Sequence, residues 1–263
     1  MKLPPFPPKS LLGMVHVGAL PGTPHARHSI DELTTQAVAE ARILMDAGFD
    51  GLIVENMHDR PYVNAPHGPE IVAAMTRVCL AVREVVKDRV MGVQVLSRGE
   101  REALAIALAC NAHFVRCEGF VFAHVADEGL LADAAAGPLL RYRRAIGAAH
   151  IGIIADLQKK HASHAITADV SLTEACQAAE FFSADGVIVT GTATGHPTDP
   201  AEVAEARAAT KLPVLVGSGV TPPLVKPLLQ HADALIVGSW IKTGGVWNNP
   251  VDASRCRELV ASR

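Results

Sequence analysis

Charged and histidine side chains stand where the apolar segments of this 263-residue chain end. Three short apolar runs end on His16, Glu55 and Asp156, and a fourth carries Arg116 near its end. Burial raises the pKa of a carboxyl group towards neutral pH, which suits it to proton transfer. The sequence therefore predicts Glu55 and Asp156 as acid–base residues. The alternative interpretation is that these carboxylates form salt bridges with Arg116 or Lys159.

Basic residues follow Asp156 closely, at Lys159, Lys160 and His161. A lysine at this position can form a Schiff base, donate a proton to an enolate or bind phosphate. The alternation of side chains along a strand does not decide whether Lys159 or Lys160 faces the site. We predict that Lys160, His161 or Arg116 stabilises the oxyanion that forms during the reaction.

Glycine-rich segments end two successive apolar runs near the C-terminus, within residues 213–219 and 232–239. Glycine lets backbone N–H groups approach an anion, and a helix N-terminus after each run would add positive charge. The predicted phosphate contacts are Gly217, Ser218, Gly219, Gly238 and Ser239, with Gly191 and Gly195 beside them and Lys242 as the fixed positive charge. His16 and Asn56 are predicted as further substrate contacts. The alternatives are a packed core histidine at His16 and a surface lysine at Lys242.

Eight apolar segments alternate with helical patterns along the whole chain, which predicts a single (β/α)8 TIM barrel spanning residues 1–263. The predicted strands are residues 11–16, 50–55, 90–95, 113–118, 151–156, 186–190, and the apolar parts of 213–219 and 232–239. The first strand lacks the dinucleotide fingerprint that a doubly wound sheet would carry. Phosphate-binding loops after strands 7 and 8 are typical of such barrels.

Local signals support this order of elements. Gly48 should end the first helix, Pro69 suits the first turn of the second, and Ser171 with Glu174 forms a capping-box pattern. Residues 119–137 are much longer than an ordinary βα connection and indicate a lid or binding element. The strand ends should meet at one mouth, formed by His16, Glu55, Asn56, Gln94, Arg116, Glu118, Asp156, Lys159, Lys160, His161, Thr190, Ser218 and Ser239.

The composition narrows the class of ligand. A net charge of −3 and a pI near 6.4 give no reason to expect nucleic acid or an anionic membrane as a partner. The proline-rich start does not fit a signal peptide, and no apolar run reaches the roughly 20 residues of a spanning helix. We therefore expect a cytoplasmic protein that can form a homo-oligomer. Its five cysteines are expected to be reduced, without a disulfide framework.

No cofactor is predicted. A divalent metal is possible, because His16, Glu55, Asp156 and His161 are suitable ligand types. No closely spaced ligand motif supports such a site in the sequence.

The motifs together resemble those of the BtpA/SgcQ family, in the order of that family and over nearly the whole chain. They are Met14-Val-His16, Leu20-Pro-Gly22, Ile53-Val-Glu-Asn56 with Asp59 and Pro61, Phe114-Val-Arg116, Leu140-Arg-Tyr-Arg143, Asp156 with Lys160-His161, Val189-Thr-Gly191 with Thr194-Gly195, and Val216-Gly-Ser-Gly-Val220. The resemblance implies a phosphate-binding TIM barrel. One branch of the family is named for photosystem I biogenesis, and another accompanies sugar-uptake genes.

The chain departs from the photosynthetic branch at Glu118-Gly-Phe-Val-Phe122, at Asp127-Glu-Gly129 and in the basic run Lys159-Lys-His-Ala-Ser-His164. We therefore expect an enzyme that isomerises, epimerises or cleaves a small phosphorylated metabolite, such as a sugar phosphate. A non-catalytic assembly factor is the alternative, and a metal-dependent hydrolase is a third interpretation.

Overall fold

A closed barrel of eight parallel strands forms the centre of the computed structural model, which describes residues 6–159, 161–190 and 197–263. The strands in chain order are β1 (Ser10–His16), β2 (Gly51–Glu55), β3 (Val90–Gln94), β4 (Phe114–Cys117), β5 (His124–Ala126), β6 (Gly129–Leu131), β7 (Gly152–Leu157), β8 (Ala162–Ser163), β9 (Gly186–Val189), β10 (Val214–Val216) and β11 (Ala234–Val237). The barrel closes in the order β1-β11-β10-β9-β7-β4-β3-β2. The predicted TIM-barrel fold is confirmed.

A helix follows each barrel strand. The helices are α1 (Ile30–Ala47), α2 (Pro69–Val86), α3 (Glu100–Ala109), α4 (Ala136–Ala145), α5 (Leu172–Phe181), α6 (Pro200–Ala209), α7 (Pro222–Leu228) and α8 (Ala253–Ala261). Gly48 ends α1 with a φ of 97°, a backbone conformation that glycine adopts without strain. No helix in the described part of the chain is long and apolar enough to cross a membrane.

Apolar side chains fill the lower part of the barrel interior. They are Leu12, Met14, Ile53, Val90, Phe114, Ile154, Ile188, Leu215, Ala234 and Ile236. Phe6 packs edge-on against Phe114, with ring centroids 5.8 Å apart. A Cβ atom at Gly92 would lie 2.4 Å from the Phe114 ring, so this strand position accommodates the ring only because it is glycine. Chemistry is therefore confined to the upper end of the barrel.

A small antiparallel sheet accounts for the long loop after β4. Its strand order is β6-β5-β8, so it joins the loop after β4 to the loop after β7, the neighbouring strand of the barrel. Strands of two or three residues are too short to show the alternation that predicts a strand. The sequence therefore indicated an elaborate loop without revealing its structure.

Ser171 caps α5 as the sequence predicts: its hydroxyl accepts from the Glu174 N–H, and the Glu174 carboxylate accepts from the Ser171 N–H at 2.8 Å. We expect Ser171→Ala to lower the free energy of unfolding by about 0.5–2 kcal/mol. Urea denaturation measures this change. The control is Thr35→Ala, because the exposed Thr35 hydroxyl bonds only to a carbonyl of its own helix. Equal stabilities for the two variants would contradict the assigned cap.

Candidate functional site

The uppermost inward-facing layer of the barrel is polar. Seven of its eight residues lie two positions after an apolar residue of the interior, and Gln94 lies two positions after Gly92, because successive side chains of a strand point to opposite faces. The layer consists of His16, Glu55, Gln94, Arg116, Asp156, Thr190, Gly217 and Gly238. Strand register places His16 beside Glu55 and Glu55 beside Gln94. The structure therefore brings together four of the predicted site side chains: His16, Glu55, Arg116 and Asp156.

Arg116 and Asp156 form an ion pair in this layer. The Arg116 Nε atom donates to both carboxylate oxygens of Asp156, at 3.0 and 3.1 Å. Burial raises the pKa of Asp156, and the neighbouring guanidinium opposes that shift only in part. The Nη atoms of Arg116 make no hydrogen bond within the described residues, and Nη2 lies 3.3 Å from the position a Gly217 Cβ would occupy. Arg116 thus directs two donor groups towards the glycine-rich rim.

His16 is held as a neutral imidazole. Its Nδ1 lies 3.1 Å from the Trp247 carbonyl oxygen, which can only accept, so Nδ1 carries the hydrogen. Burial, followed by the charge of Lys242, lowers the pKa of His16 to about 3. The unprotonated Nε2 atom faces Glu55, 3.6 Å from its Oε2. His16 can therefore accept a hydrogen bond or a proton beside the Glu55 carboxyl group.

Glu118 and Lys159 form a second buried ion pair, with Nζ 3.0 Å from Oε1. The Arg98 N–H also donates to Glu118, at 3.1 Å. Burial favours the neutral acid, but Lys159 and Arg98 outweigh it and lower the pKa of Glu118. Lys159 is buried next to these groups, whereas the predicted Lys160 lies outside the described residues. The predicted His161 is exposed.

Two buried polar atoms near these pairs have no hydrogen-bond partner within the described residues. They are Oε1 of Gln94, in the polar layer, and Nε2 of His124, on the small sheet. Burial, followed by the charge of Lys159, lowers the pKa of His124 to about 4. Buried polar atoms are rarely left without a partner in a folded protein. Gln94 and His124 are therefore candidate ligand contacts.

The side chain of Asn56, predicted as a substrate contact, is hydrogen-bonded within the protein. Its side-chain nitrogen donates to Asp59 at 2.7 Å and to the Leu96 carbonyl at 3.2 Å. Its side-chain oxygen accepts from the Leu96 N–H at 2.7 Å. Because Asn56 lies one position after Glu55, its side chain leaves the polar layer and ties the loop after β2 to the loop after β3.

The predicted phosphate cup lies at the ends of β10 and β11. Gly217 donates its N–H to Val189 at 2.9 Å, but the amides of Gly219, Gly238 and Ser239 donate to no acceptor in residues 6–159, 161–190 and 197–263. Ser218, which lies between Gly217 and Gly219, is buried, and its carbonyl accepts a hydrogen bond from the Thr198 hydroxyl. The predicted Gly191 and Gly195 lie outside the described residues.

The helix after β10 contributes less to the cup than the sequence suggests. Its first two residues are Pro222 and Pro223, which have no N–H, and the Leu224 N–H is bonded to the Thr221 carbonyl. The helix N-terminus therefore has few donors left for an anion. Donors at the cup come from the loop amides and from Arg116.

Lys242 is not the surface lysine of the alternative interpretation, since only 1% of it is exposed. Its Nζ lies 2.8 Å from Oε2 of Glu40, on α1. Burial lowers the pKa of Lys242, although Glu40 opposes the shift. Its charge is thus shared with a carboxylate, whereas Arg116 lies against Gly217, with Nη2 3.3 Å from the Cβ position of that glycine.

Metal-ligand types do not cluster in the described residues: no three His, Cys, Asp or Glu side chains come together as a metal site there. The possible divalent metal stays a prediction, and metal analysis of the purified protein tests it.

Sequence comparison places the chain among relatives of known family. The model of the BtpA family matches residues 8–263. An uncharacterized mitochondrial protein of Caenorhabditis elegans is 44% identical over 257 residues, which are 95% of this chain and 91% of that protein. The photosystem I biogenesis protein BtpA of Synechocystis sp. is 34% identical over 251 residues, covering 95% and 86% of the two chains.

Structural comparison yields enzymes of the same fold. Thiamine phosphate pyrophosphorylase from Pyrococcus furiosus has a TM-score of 0.58 and 14% identity, covering 96% of this chain and 94% of that chain. A 3-hexulose-6-phosphate synthase has a TM-score of 0.54 and 18% identity, covering 96% and 99%. At these identities the comparison shows the fold alone.

Proposed function

We propose that this chain, which belongs to the BtpA family, is an enzyme that acts on a small phosphorylated metabolite. One observation carries the proposal: the backbone amides of Gly219, Gly238 and Ser239, which have no acceptor among the described residues, stand in the same mouth as the Nη groups of Arg116 and the His16–Glu55 pair. Backbone amides and a guanidinium are the groups that proteins use to hold phosphate. The carboxyl groups beside them supply acid–base chemistry.

The reaction class we propose is proton transfer next to a carbonyl group, as in an isomerase, an epimerase or an aldol-type lyase. Glu55 is the preferred base, because its Oε2 lies 3.6 Å from Nε2 of the neutral His16 imidazole in the polar layer. Asp156 is paired with Arg116 through both of its oxygens. Glu55 takes the proton from carbon, and the electron pair moves to the carbonyl oxygen, where Arg116 or Lys159 stabilises the enolate. Return of that proton to the former carbonyl carbon, together with transfer of the hydroxyl proton to the former carbonyl oxygen, completes an isomerisation. Asp156 acts through Arg116, as a positioning residue.

The names of the structural neighbours are consistent with a phosphorylated ligand. The two enzymes described above are named for thiamine phosphate and for 3-hexulose 6-phosphate. Phosphate binding recurs in barrels of this kind at the loops after the last two strands. In this chain those loops are the ends of β10 and β11.

Thermal denaturation with a panel of sugar phosphates tests the proposal. A ligand at 100 times its dissociation constant stabilises the folded state by about 2.7 kcal/mol, which raises the melting temperature by roughly 5 °C or more for a chain of this size. The matching unphosphorylated sugars are the controls. Absence of a shift with every phosphorylated compound and with inorganic phosphate would contradict the proposal.

Gly238→Ala tests the position of the cup. A Cβ atom at Gly238 would lie 3.6 Å from Met14 and 3.8 Å from the His16 ring, ordinary contact distances, so the fold should persist while the new methyl group fills the cup. We expect the dissociation constant of a bound sugar phosphate to rise at least about tenfold. Calorimetric titration measures it. The matched control is Gly137→Ala, at α4, which should bind normally.

A second candidate function is that of a non-catalytic assembly factor. The relative named for photosystem I biogenesis favours it, as does an exposed aromatic pair at the end of α5, Phe181 and Phe182. This function predicts that Glu55→Gln retains full biological activity, whereas Phe181→Ser loses a stable partner in a pull-down. The enzyme proposal predicts that Glu55→Gln loses biological activity and that Phe181→Ser retains it.

A further inference from the structure

A cavity of about 510 Å³ opens beside the barrel mouth, outside the phosphate cup. Its walls are the loops after β1 and β2, one face of α1 and the segment after β11. His16 is common to the cavity and to the polar layer of the barrel. The cavity therefore adjoins the proposed site of reaction.

The lining of this cavity is strongly cationic. It contains Arg27, Arg60 and Lys242, together with His25, His28 and His58. Among the lining residues that the structure describes, the carboxylate is that of Glu40. Glu40 already accepts from Lys242 at 2.8 Å and from the Val251 N–H at 3.0 Å. The two arginines consequently have no carboxylate partner within the cavity.

The positive charge acts on the histidines of the same wall. Burial lowers the pKa of His58, and Lys242 and then Arg60 lower it further. Arg60 also stacks on the Trp247 ring, with its guanidinium carbon 4.7 Å from the ring centroid. The Trp247 carbonyl holds His16. An arginine fixed in this way is prepared to bind an anion without further loss of side-chain freedom.

We propose that this cavity binds a second anionic group of the substrate, a phosphate or a carboxylate. The inference rests on the proposed function and makes it more specific. The cup and the cavity meet at His16, because the Gly238 Cβ position is 3.8 Å from His16 Nε2 and His16 lines the cavity. A metabolite that bears anionic groups at both ends would then place its middle carbon atoms beside His16 and Glu55.

Calorimetric titration of the full chain with three matched compounds tests this inference. The probes are glucose 6-phosphate, glucose 1,6-bisphosphate and 6-phosphogluconate, which differ in having no second anionic group, a second phosphate or a carboxylate. We expect at least one doubly anionic probe to bind about tenfold more tightly than glucose 6-phosphate. Whichever of the two doubly anionic probes binds more tightly identifies the second anionic group as a phosphate or a carboxylate.

The variant Arg60→Gln should remove this advantage while changing the affinity for glucose 6-phosphate less than twofold. Arg141→Gln, which replaces an exposed arginine on α4, is the control and should bind like the parent protein. Equal affinities for all three probes would overturn the inference and leave the proposed function standing. The inference would also be overturned if Arg60→Gln lowered the affinity for glucose 6-phosphate as much as the affinity for the doubly anionic probes. If the protein binds neither the three probes nor inorganic phosphate, both this inference and the proposed function are overturned.

Discussion

Replacing Arg116 by glutamine is expected to lower the free energy of unfolding by about 3–5 kcal/mol and to abolish the binding of phosphorylated ligands. Asp156 would lose its partner at a position where its side chain is 1% exposed, so an uncompensated carboxylate would stay buried. The cup would lose the guanidinium next to Gly217 at the same time. Urea denaturation and calorimetric titration with a sugar phosphate measure the two losses separately.

The double variant Arg116→Gln with Asp156→Asn separates stability from binding. It removes both charges, so stability should recover most of the loss, because a neutral pair avoids the cost of a buried unpaired charge. Phosphate binding should stay absent. A double variant that binds phosphate normally would show that Arg116 only balances Asp156, and would remove it from the proposed cup.

Stability should fall when the pH drops below neutrality, and two buried histidines should account for much of the fall. The pKa values of His16 and His124 are lowered by burial from 6.5 to about 3 and about 4. Below pH 6.5 the unfolded chain takes up a proton at each residue, while the folded chain does not. Each histidine therefore lowers the free energy of unfolding by roughly 1 kcal/mol per pH unit, down to its folded pKa.

Urea denaturation between pH 7 and pH 4.5 measures this slope. The variants His16→Asn and His124→Asn should each have a shallower slope than the parent protein, whatever their stability at pH 7. His150→Asn, which replaces an exposed histidine, is the control for the substitution itself. Unchanged slopes in both core variants would mean that these imidazoles titrate alike in the folded and the unfolded chain, which would contradict their lowered pKa values.

The barrel was predictable because its signals are local and repeated. Apolar runs of four to six residues predict buried parallel strands, and glycine, proline and capping residues mark the helix ends between them. The polar residue that follows each run is placed at the mouth by topology alone. Sequence reasoning therefore found His16, Glu55, Arg116 and Asp156 without any knowledge of their contacts.

The remaining site residues depend on contacts that a linear pattern does not contain. Counting in steps of two from the apolar interior would have excluded Asn56 from the mouth, but only once the register of β2 was known. Lys159 faces Glu118 because the backbone turns at Gln158, where φ is 45°. The pairing of Lys242 with Glu40 joins residues about two hundred positions apart. Such pairs require the three-dimensional structure.

The small sheet β6-β5-β8 joins the loops that follow two neighbouring barrel strands. Two segments that we expect to differ from the photosynthetic branch, residues 118–122 and 127–129, lie in or next to this sheet. Its strands come from the loops that carry Glu118 and Lys159. Because β5 and β8 pair across the two loops, the sheet couples the backbone segments on either side of the Glu118–Lys159 pair.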